Sequence, residues 1–266
     1  MASSAAAVQQ RLGSRAGDGR LIVAWQNPET RVIAPVGLLG CTDGRYTFVY
    51  LKGALELEGF RPLLGLPDFH EHYTAERLFP IFAQRVMGSG RPDYGRYLDL
   101  LRLRADASPL RILSRSGGRR EGDSLFLVQE PAVRDDGLSR AIFFVHGVRH
   151  IPEASARIAG LTEGAELQLQ PVPDNPVNPL ALLVTAGDSS PLGYVPDLLV
   201  DYMHKLLEID EPKLVVLQRN DEDSPPNLRL LVECTGLLPA GYIPFSGSQW
   251  GAIAGCQAEL NRGRVD

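Results

Sequence analysis

The sequence is poor in cysteine and has no long apolar run. Its three cysteines, Cys41, Cys234 and Cys256, show no paired spacing, which argues against a disulfide framework or a cysteine zinc site and favours a reducing cytoplasm. No stretch approaches the ~18 consecutive apolar residues of a membrane span. Residues 1–20 have no apolar segment after their charges and so lack the middle region of a secretory signal. We expect residues 1–18 to form a disordered tail.

Catalytic signatures are also missing. The sequence has no phosphate-binding Gly-x-x-x-x-Gly-Lys-Ser/Thr loop, no His-Glu-x-x-His zinc pair and no Gly-x-Ser-x-Gly nucleophile elbow. Asp68, His70 and His72 have metal-ligand chemistry at close spacing, since alternate residues of an extended strand could share one ion. A surface loop after Pro67 is the favoured interpretation. The prediction is therefore a non-enzymatic protein with no catalytic residue, no metal and no cofactor.

What is present fits a folded protein of two ordinary domains. The 266 residues are 44% hydrophobic and 22% charged, with a mean hydropathy of -0.08, which is typical of a soluble globular chain. The net charge of -5 is unevenly spread. Residues 1–140 hold 19 Lys+Arg against 16 Asp+Glu, and residues 141–266 hold 8 against 16. The halves thus carry +3 and -8, which indicates different partners.

Residues 129–140, rich in Pro, Gly and charge, predict a boundary between two domains. Before it, three apolar or aromatic runs predict strands: residues 21–25, 46–50 and 124–128. An apolar stripe at helical spacing begins at Tyr94, and Ser108 with the following proline predicts the start of a short helix that stops at Gly117. We therefore expect an α+β domain over residues 19–133.

The segment after the boundary has a different pattern. Five runs bounded by Pro, Gly, Asp or Asn predict strands: residues 141–145, 165–169, 180–185, 213–218 and 227–234. One helix, beginning after Pro196, interrupts them. Such short, evenly spaced strands are typical of a small β-barrel, here over residues 141–235. Residues 236–266 are Gly-rich and form a C-terminal extension without an assigned structure.

Four arginines cluster around the predicted end of the short helix. Arg111 and Arg115 are four residues apart and share a helix face, while Arg119 and Arg120 follow two glycines. Together with the open glycine backbone they could bind phosphates or an acidic partner. A solvated helix end, whose arginines complement the C-terminal dipole, explains the same pattern equally well.

Two segments of the second half combine polar side chains with turn residues. Gly147, Arg149 and His150 directly follow a predicted strand, and residues 173–182 form an Asp/Asn/Pro-rich stretch that leads into another. Asp and Asn in such a turn present donors and acceptors at a fixed geometry. Ordinary turn chemistry is the simpler interpretation of these residues taken alone.

The order of these segments resembles the HIRAN domain, a small OB-like barrel. The resemblance covers residues 141–208, extending towards 235, and is carried by FFVHGVRH at 143–150, GAELQL at 164–169, DNPVNPLAL at 174–182 and GYV at 193–195. In fork-remodelling helicase-like proteins this module binds the 3′ end of single-stranded DNA. The resemblance implies nucleotide contacts at six residues: Arg149, His150, Asp174, Asn175, Asn178 and Tyr194. Val177 stands where the family has an aromatic residue.

The first half resembles the small N-terminal subdomain of HipA-type kinases. The resemblance spans residues 19–130 and is carried by LIVAWQN at 21–27, PVGL at 35–38, YTFVY at 46–50, PLLGLP at 62–67, LFP at 78–80 and SGGR at 116–119. That subdomain is non-catalytic, and the kinase core that follows it in the family is missing. In split systems of this family a lone copy acts as a regulator or antitoxin.

The sequence as a whole predicts a cytoplasmic, non-enzymatic adaptor that joins a HipA-N-like α+β domain to a HIRAN-like barrel. Its expected ligand is DNA, above all single-stranded 3′ ends, in repair or defence. The alternative is a regulator of toxin-antitoxin type, in which the barrel binds a protein and Arg111, Arg115, Arg119 and Arg120 bind an acidic surface. Membrane association is not expected.

Overall fold

The apolar run at residues 21–25 forms an interior strand, between the second and the fifth, of a five-stranded antiparallel sheet with the order β4-β3-β2-β1-β5. The computed structural model describes residues 20–120 and 122–253; the predicted tail and residues 254–266 of the predicted extension lie outside them. The strands of this sheet are β1 (Leu21–Gln26), β2 (Ile33–Thr42), β3 (Arg45–Tyr50), β4 (Tyr73–Ala75) and β5 (Leu125–Gln129).

Both faces of this sheet are covered. Leu21 and Val23 face a cluster that contains Phe48, whereas Ile22 faces a second cluster with Val49. Successive side chains of a strand point to opposite faces, so a strand buried on both sides consists of apolar residues throughout. This is why β1 is a continuous apolar run and not an alternating one.

Three short helices accompany the first sheet: α1 (Pro80–Ala83), α2 (Tyr94–Leu100) and α3 (Pro109–Ser116). The start and end of α3 follow from local chemistry. The Ser108 hydroxyl accepts the Arg111 N–H at 3.1 Å, and Pro109 needs no amide partner in the first turn. Gly117 ends the helix in the left-handed region, at φ 68°. The prediction of this helix is confirmed.

The second half forms a seven-stranded antiparallel sheet with the order β10-β9-β8-β11-β12-β7-β6. Its strands are β6 (Ala132–Val133), β7 (Leu138–Phe144), β8 (Glu166–Pro171), β9 (Leu182–Thr185), β10 (Pro191–Tyr194), β11 (Lys213–Arg219) and β12 (Leu230–Leu237). The helices are α4 (Ala154–Ala159) and α5 (Asp197–Leu207). The prediction of one helix was wrong. The six-residue α4 starts from Glu153 at φ 60°, without a side-chain cap, and so has no sequence signal of its own.

Helix α5 fills the core of the second sheet and also reaches the first. Leu199, Met203 and Leu206 are buried against the strands of the second sheet, while Leu198 packs on the cluster around Ile22. The Tyr202 hydroxyl lies 2.8 Å from the Ser139 Oγ on β7, which satisfies both groups inside the core. The helix therefore fixes the position of one sheet against the other.

The two halves share further contacts. An apolar cluster joins Leu98 and Ile112 of the first half to Phe144 and Leu231 of the second. At the other end of the chain, Ala252 forms an antiparallel bridge with Leu51, so the described part of the predicted C-terminal extension returns to the first sheet. The structure is thus α+β with two antiparallel sheets packed into one assembly. Within the described residues, no helix has the length and apolar character needed to cross a membrane.

Candidate functional site

The end of β10 is the point at which separated segments of the second half meet. His146, two residues beyond β7, forms an isolated bridge with Tyr194, with N–H to O=C distances of 2.9 and 2.8 Å. Gly147 follows at φ 70°, and a Cβ atom there would lie 3.1 Å from Cδ2 of the Tyr194 ring. Since the ring packs against the glycine backbone, a larger residue at position 147 would displace it. The bridge joins the edge strand β10 to the residues that follow β7, the next-to-last strand of the sheet order.

Arg149 and His150 lie in the single 3₁₀ turn that follows Gly147. Buried Val148 anchors the turn, whereas the side chains of Arg149 and His150 are exposed. Arg149 Nε donates to His150 Nε2 at 2.9 Å, so the two side chains form one polar unit beside Tyr194. This unit is presented to solvent at the end of the sheet.

The Asp/Asn/Pro-rich segment forms a turn that stabilises itself. Asn175 Oδ1 accepts the N–H groups of Val177 and Asn178 at 3.0 and 3.1 Å, and Asn178 Oδ1 accepts that of Leu180 at 2.9 Å. These are side-chain to backbone bonds of the Asx type. Asp174 is exposed at the same turn. Asn175 therefore has a structural part in shaping the turn, whatever else it contacts.

Asn178 ties this turn to the end of β10. Its Nδ2 donates to Asp197 Oδ1 at 3.2 Å, and Asp197 is the first residue of α5, three positions after Tyr194. A carboxylate in the first turn also complements the helix dipole. All six residues of the HIRAN-like prediction thus lie in three segments that meet around Tyr194 and Asp197.

A cleft opens between the two sheets on the side of α3. Its walls are mostly apolar and come from the end of α3, from β5, from β7 and from the start of α5: Ser114, Arg115, Ser116, Gly117, Arg119, Phe126, Leu127, Val128, Gln129, Ile142, Phe143, Phe144, His146, Pro196, Leu199 and Asn227. Two of the four predicted arginines, Arg115 and Arg119, line it. Arg111 is one helical turn before Arg115, and exposed Arg120 is not among the lining residues.

Arg115 has an unusual environment. Its Nε and Nη1 atoms are buried and have no hydrogen-bond partner among the described residues. Burial, together with the positive charges of Arg111, Arg140 and Arg102, lowers the pKa of Arg115 to about 10. The negative charge of Glu233 opposes this lowering, and the guanidinium remains charged at neutral pH.

Arg119 and His146 complete the polar part of the cleft. The Arg119 guanidinium lies over the Phe126 ring, 4.0 Å from its centre, in a cation-π contact. The Arg119 side chain is exposed overall, yet partial desolvation of its guanidinium lowers its pKa, an effect that the charge of Asp197 opposes. Burial, and next the charge of Arg119, lower the pKa of His146 to about 4, so its imidazole is neutral at pH 7. The charge of Arg119 thus acts on His146 in the cleft, and Asp197, three residues after the end of β10, acts on Arg119.

His146 and Asn227 were not singled out from the sequence. His146 lies within the HIRAN-like FFVHGVRH pattern, yet only the fold shows that it is shared between the cleft and the bridge to Tyr194. The Asp68, His70 and His72 segment has a simpler organisation. Asp68 Oδ1 accepts the His70 N–H at 2.8 Å, and the described residues contain no group of three or more side chains suited to hold a metal ion.

Comparison with known proteins gives only remote similarities. No family model matches the chain, and no curated protein matches it. Among solved structures, a structural-genomics target from Lactobacillus plantarum is 18% identical, with 38% of this chain and 99% of that one covered and a TM-score of 0.31. The HIRAN domain of human HLTF is 15% identical, with 40% of this chain and 84% of that one covered and a TM-score of 0.29. The chain is thus weakly similar to a HIRAN domain over part of its length.

Proposed function

We propose that this chain is a non-enzymatic, cytoplasmic adaptor that binds single-stranded DNA ends at the tip of the second sheet. The observation that carries the proposal is the convergence of three separated segments around Tyr194. One contributes the exposed Arg149 and His150, and another contributes Asn178, held by Asp197. We further propose that the second sheet is a partly open, OB-like barrel, in which β10 approaches the residues after β7 at the bridge of His146.

The chemistry of this tip suits the end of a strand. Arg149 supplies a positive charge for a phosphate, and Tyr194 supplies an aromatic ring beside it. The Asn178 turn is held by Asp197, three residues after Tyr194, and carries amide groups able to contact a sugar or base edge. The net charge of the second half is negative, so binding depends on these few groups and not on a broad basic surface.

The test is a fluorescence anisotropy titration of 3′-tailed and blunt duplex DNA at fixed salt. We expect the tailed DNA to bind more tightly and log affinity to fall linearly with log salt concentration. Arg149→Ala should weaken the tailed DNA at least about threefold, because one phosphate contact is lost. Arg134→Ala is the matched control, since Arg134 precedes β7 while Arg149 follows it, about 20 Å away along the strand. Equal affinities of both variants and wild type would refute this site.

A second function is favoured by exposed apolar side chains at the same tip. Val177 is 80% exposed and Leu180 is 57% exposed, on either side of Asn178. A protein ligand, as in the toxin-antitoxin regulator suggested by the HipA-like first half, would cover such a pair. In that case neither DNA form binds with a salt-dependent affinity, and Val177→Asp abolishes binding of the protein partner.

A further inference from the structure

The cleft between the two sheets is lined by an arginine, Arg115, with two buried nitrogens that have no hydrogen-bond partner among the described residues. Arg115 lies in the last turn of α3, where the helix dipole favours a cation. This dipole does not satisfy its hydrogen-bonding groups, because Nε and Nη1 are buried and lack acceptors among the described residues. A buried charged donor without an acceptor is destabilising, and native proteins retain such groups where they serve a function.

Two of the three arginines whose charges act on Arg115 have carboxylate partners of their own, and the charge of Glu233 acts on Arg115 as well. Arg140 Nε donates to Glu233 Oε2 at 2.6 Å, and Arg102 Nη1 pairs with Glu163 Oε1 at 2.9 Å. Arg229 is the other described residue with buried nitrogens that lack partners. However, its Nη1 donates to the Asp221 carbonyl, and it is not among the residues that line the cleft. Of these two arginines, Arg115 is therefore the one that lines the cleft.

Two further groups of the cleft fit a negatively charged ligand. Arg119 is held at the cleft by its stacking on Phe126, and its exposed charge can reach an anion there. His146, contributed by the second half, is neutral at pH 7 and can share a hydrogen bond without adding charge. Two guanidinium groups on apolar walls favour a dianion over a monoanion, and their planar forks match phosphate oxygens.

We propose that this cleft is a phosphate-binding site, in which Arg115 is the principal ligand and Arg119 the second. The site is separate from the tip around Tyr194 and does not depend on DNA binding there. The phosphate is either free in solution or the terminal group of a nucleic-acid strand. Both sources present the same oxygens to Arg115, so they must be separated by experiment.

The first experiment is calorimetric titration of inorganic phosphate into the full chain, with sodium acetate and sodium chloride as reference anions. We expect phosphate to bind and acetate to bind at least about tenfold more weakly. Arg115→Met should weaken phosphate binding at least about tenfold, whereas Arg120→Met, outside the cleft, should change it less than about twofold. Absence of phosphate binding to wild type, or an equal effect of both variants, overturns the proposal.

A second variant keeps the test decisive if Arg115→Met does not fold. Arg119→Gln changes an exposed side chain and should weaken phosphate binding at least about threefold, with an unchanged melting temperature. Unaltered affinity in that variant overturns the site. Oligothymidylates with 5′-phosphate, 3′-phosphate or hydroxyl ends then identify the source. If phosphate binds through Arg115 but no oligonucleotide binds, the proposed DNA function is refuted and the cleft proposal stands. If all oligonucleotides bind equally and phosphate does not bind, the cleft proposal is refuted and the DNA function stands.

Discussion

The tip of the second sheet and the cleft beneath α3 use polar groups in opposite ways. At the tip, the oxygens of Asn175 and Asn178 accept backbone N–H groups, and the Asn178 amide donates to Asp197. In the cleft, Arg115 has two buried nitrogens without any acceptor among the described residues. A polar group whose hydrogen bonds are made within the fold stabilises the fold. A buried polar group without hydrogen-bond partners is stabilised only when a ligand binds to it. The difference shows that Asn175 and Asn178 stabilise the turn whether or not a ligand binds, whereas the two Arg115 nitrogens make no such contribution to the fold.

His146 belongs to both regions and gives the largest expected effect. Its pKa is lowered from 6.5 to about 4 in the folded protein, so the unfolded chain binds the proton first as pH falls. Stability is therefore complete above pH 6.5 and is lost progressively as pH falls towards 4, by at most about 3 kcal/mol. Contact of the partly buried ring with water reduces that figure.

Urea unfolding of wild type and His146→Gln at pH 7 and pH 4.5 measures this effect. Carboxylates titrate in both proteins, so their contribution cancels in the comparison. The wild type should lose more stability than the variant over this interval. Equal losses would mean that the imidazole is not desolvated at the cleft.

Asn175 tests whether the polar side chains of the tip stabilise the fold. Asn175→Ala removes acceptors from the N–H groups of Val177 and Asn178, and we expect a loss of about 1–2 kcal/mol in the free energy of unfolding. Asn175→Asp keeps the acceptor and should retain most of the stability. Chemical denaturation of the three proteins gives the values, and a neutral Asn175→Ala would show that the turn does not need this side chain.

The position after the Asn-Pro pair tests whether the tip binds nucleotides. Val177→Tyr adds a ring at an 80% exposed position and should tighten 3′-tailed DNA by about 1 kcal/mol, or roughly fivefold. Affinity for blunt duplex should hardly change. The anisotropy titration of both ligands at one salt concentration decides the matter, since a protein-binding tip predicts no gain for either DNA.

The sequence was sufficient to predict those elements whose first and last residues give local signals for where the element begins and ends. Helix α3 has Ser108, Pro109 and Gly117, and it was predicted at nearly its observed length. The strand β2 was not predicted, because Pro35 and Gly37 interrupt its pattern. Gly37 lies under the Phe48 ring, with which a Cβ atom would clash, so only the packing explains the glycine.

The candidate sites, too, could be predicted from local sequence signals only in part. The turn chemistry of Asn175 follows from an Asn-Pro pair and was anticipated as an alternative to binding. Arg115 and Arg119 were grouped by their spacing, yet no spacing shows that one is buried and the other is stacked on Phe126. The cleft itself is lined by residues of α3, β5 and β7, and β7 lies in the second sheet. Burial of a charge is a tertiary property, so it is seen only in the folded chain.

The smallest expected effect is the most informative. Arg115→Met should leave the free energy of unfolding unchanged or raise it, whereas Asn175→Ala in the turn should lower it. Arg115→Met keeps the length of the side chain and its apolar contacts but removes a desolvated charge without acceptors. We therefore expect the variant to be as stable as wild type or more stable, by up to about 1 kcal/mol, at the same time as it loses phosphate. Arg140→Met is the contrasting control, since it leaves Glu233 without its partner and should destabilise. Thermal and urea unfolding in phosphate-free buffer measure both. If Arg115→Met lowers the free energy of unfolding as much as Arg140→Met does, then Arg115 stabilises the fold. In that case the cleft does not differ from the tip in how its polar groups contribute to stability.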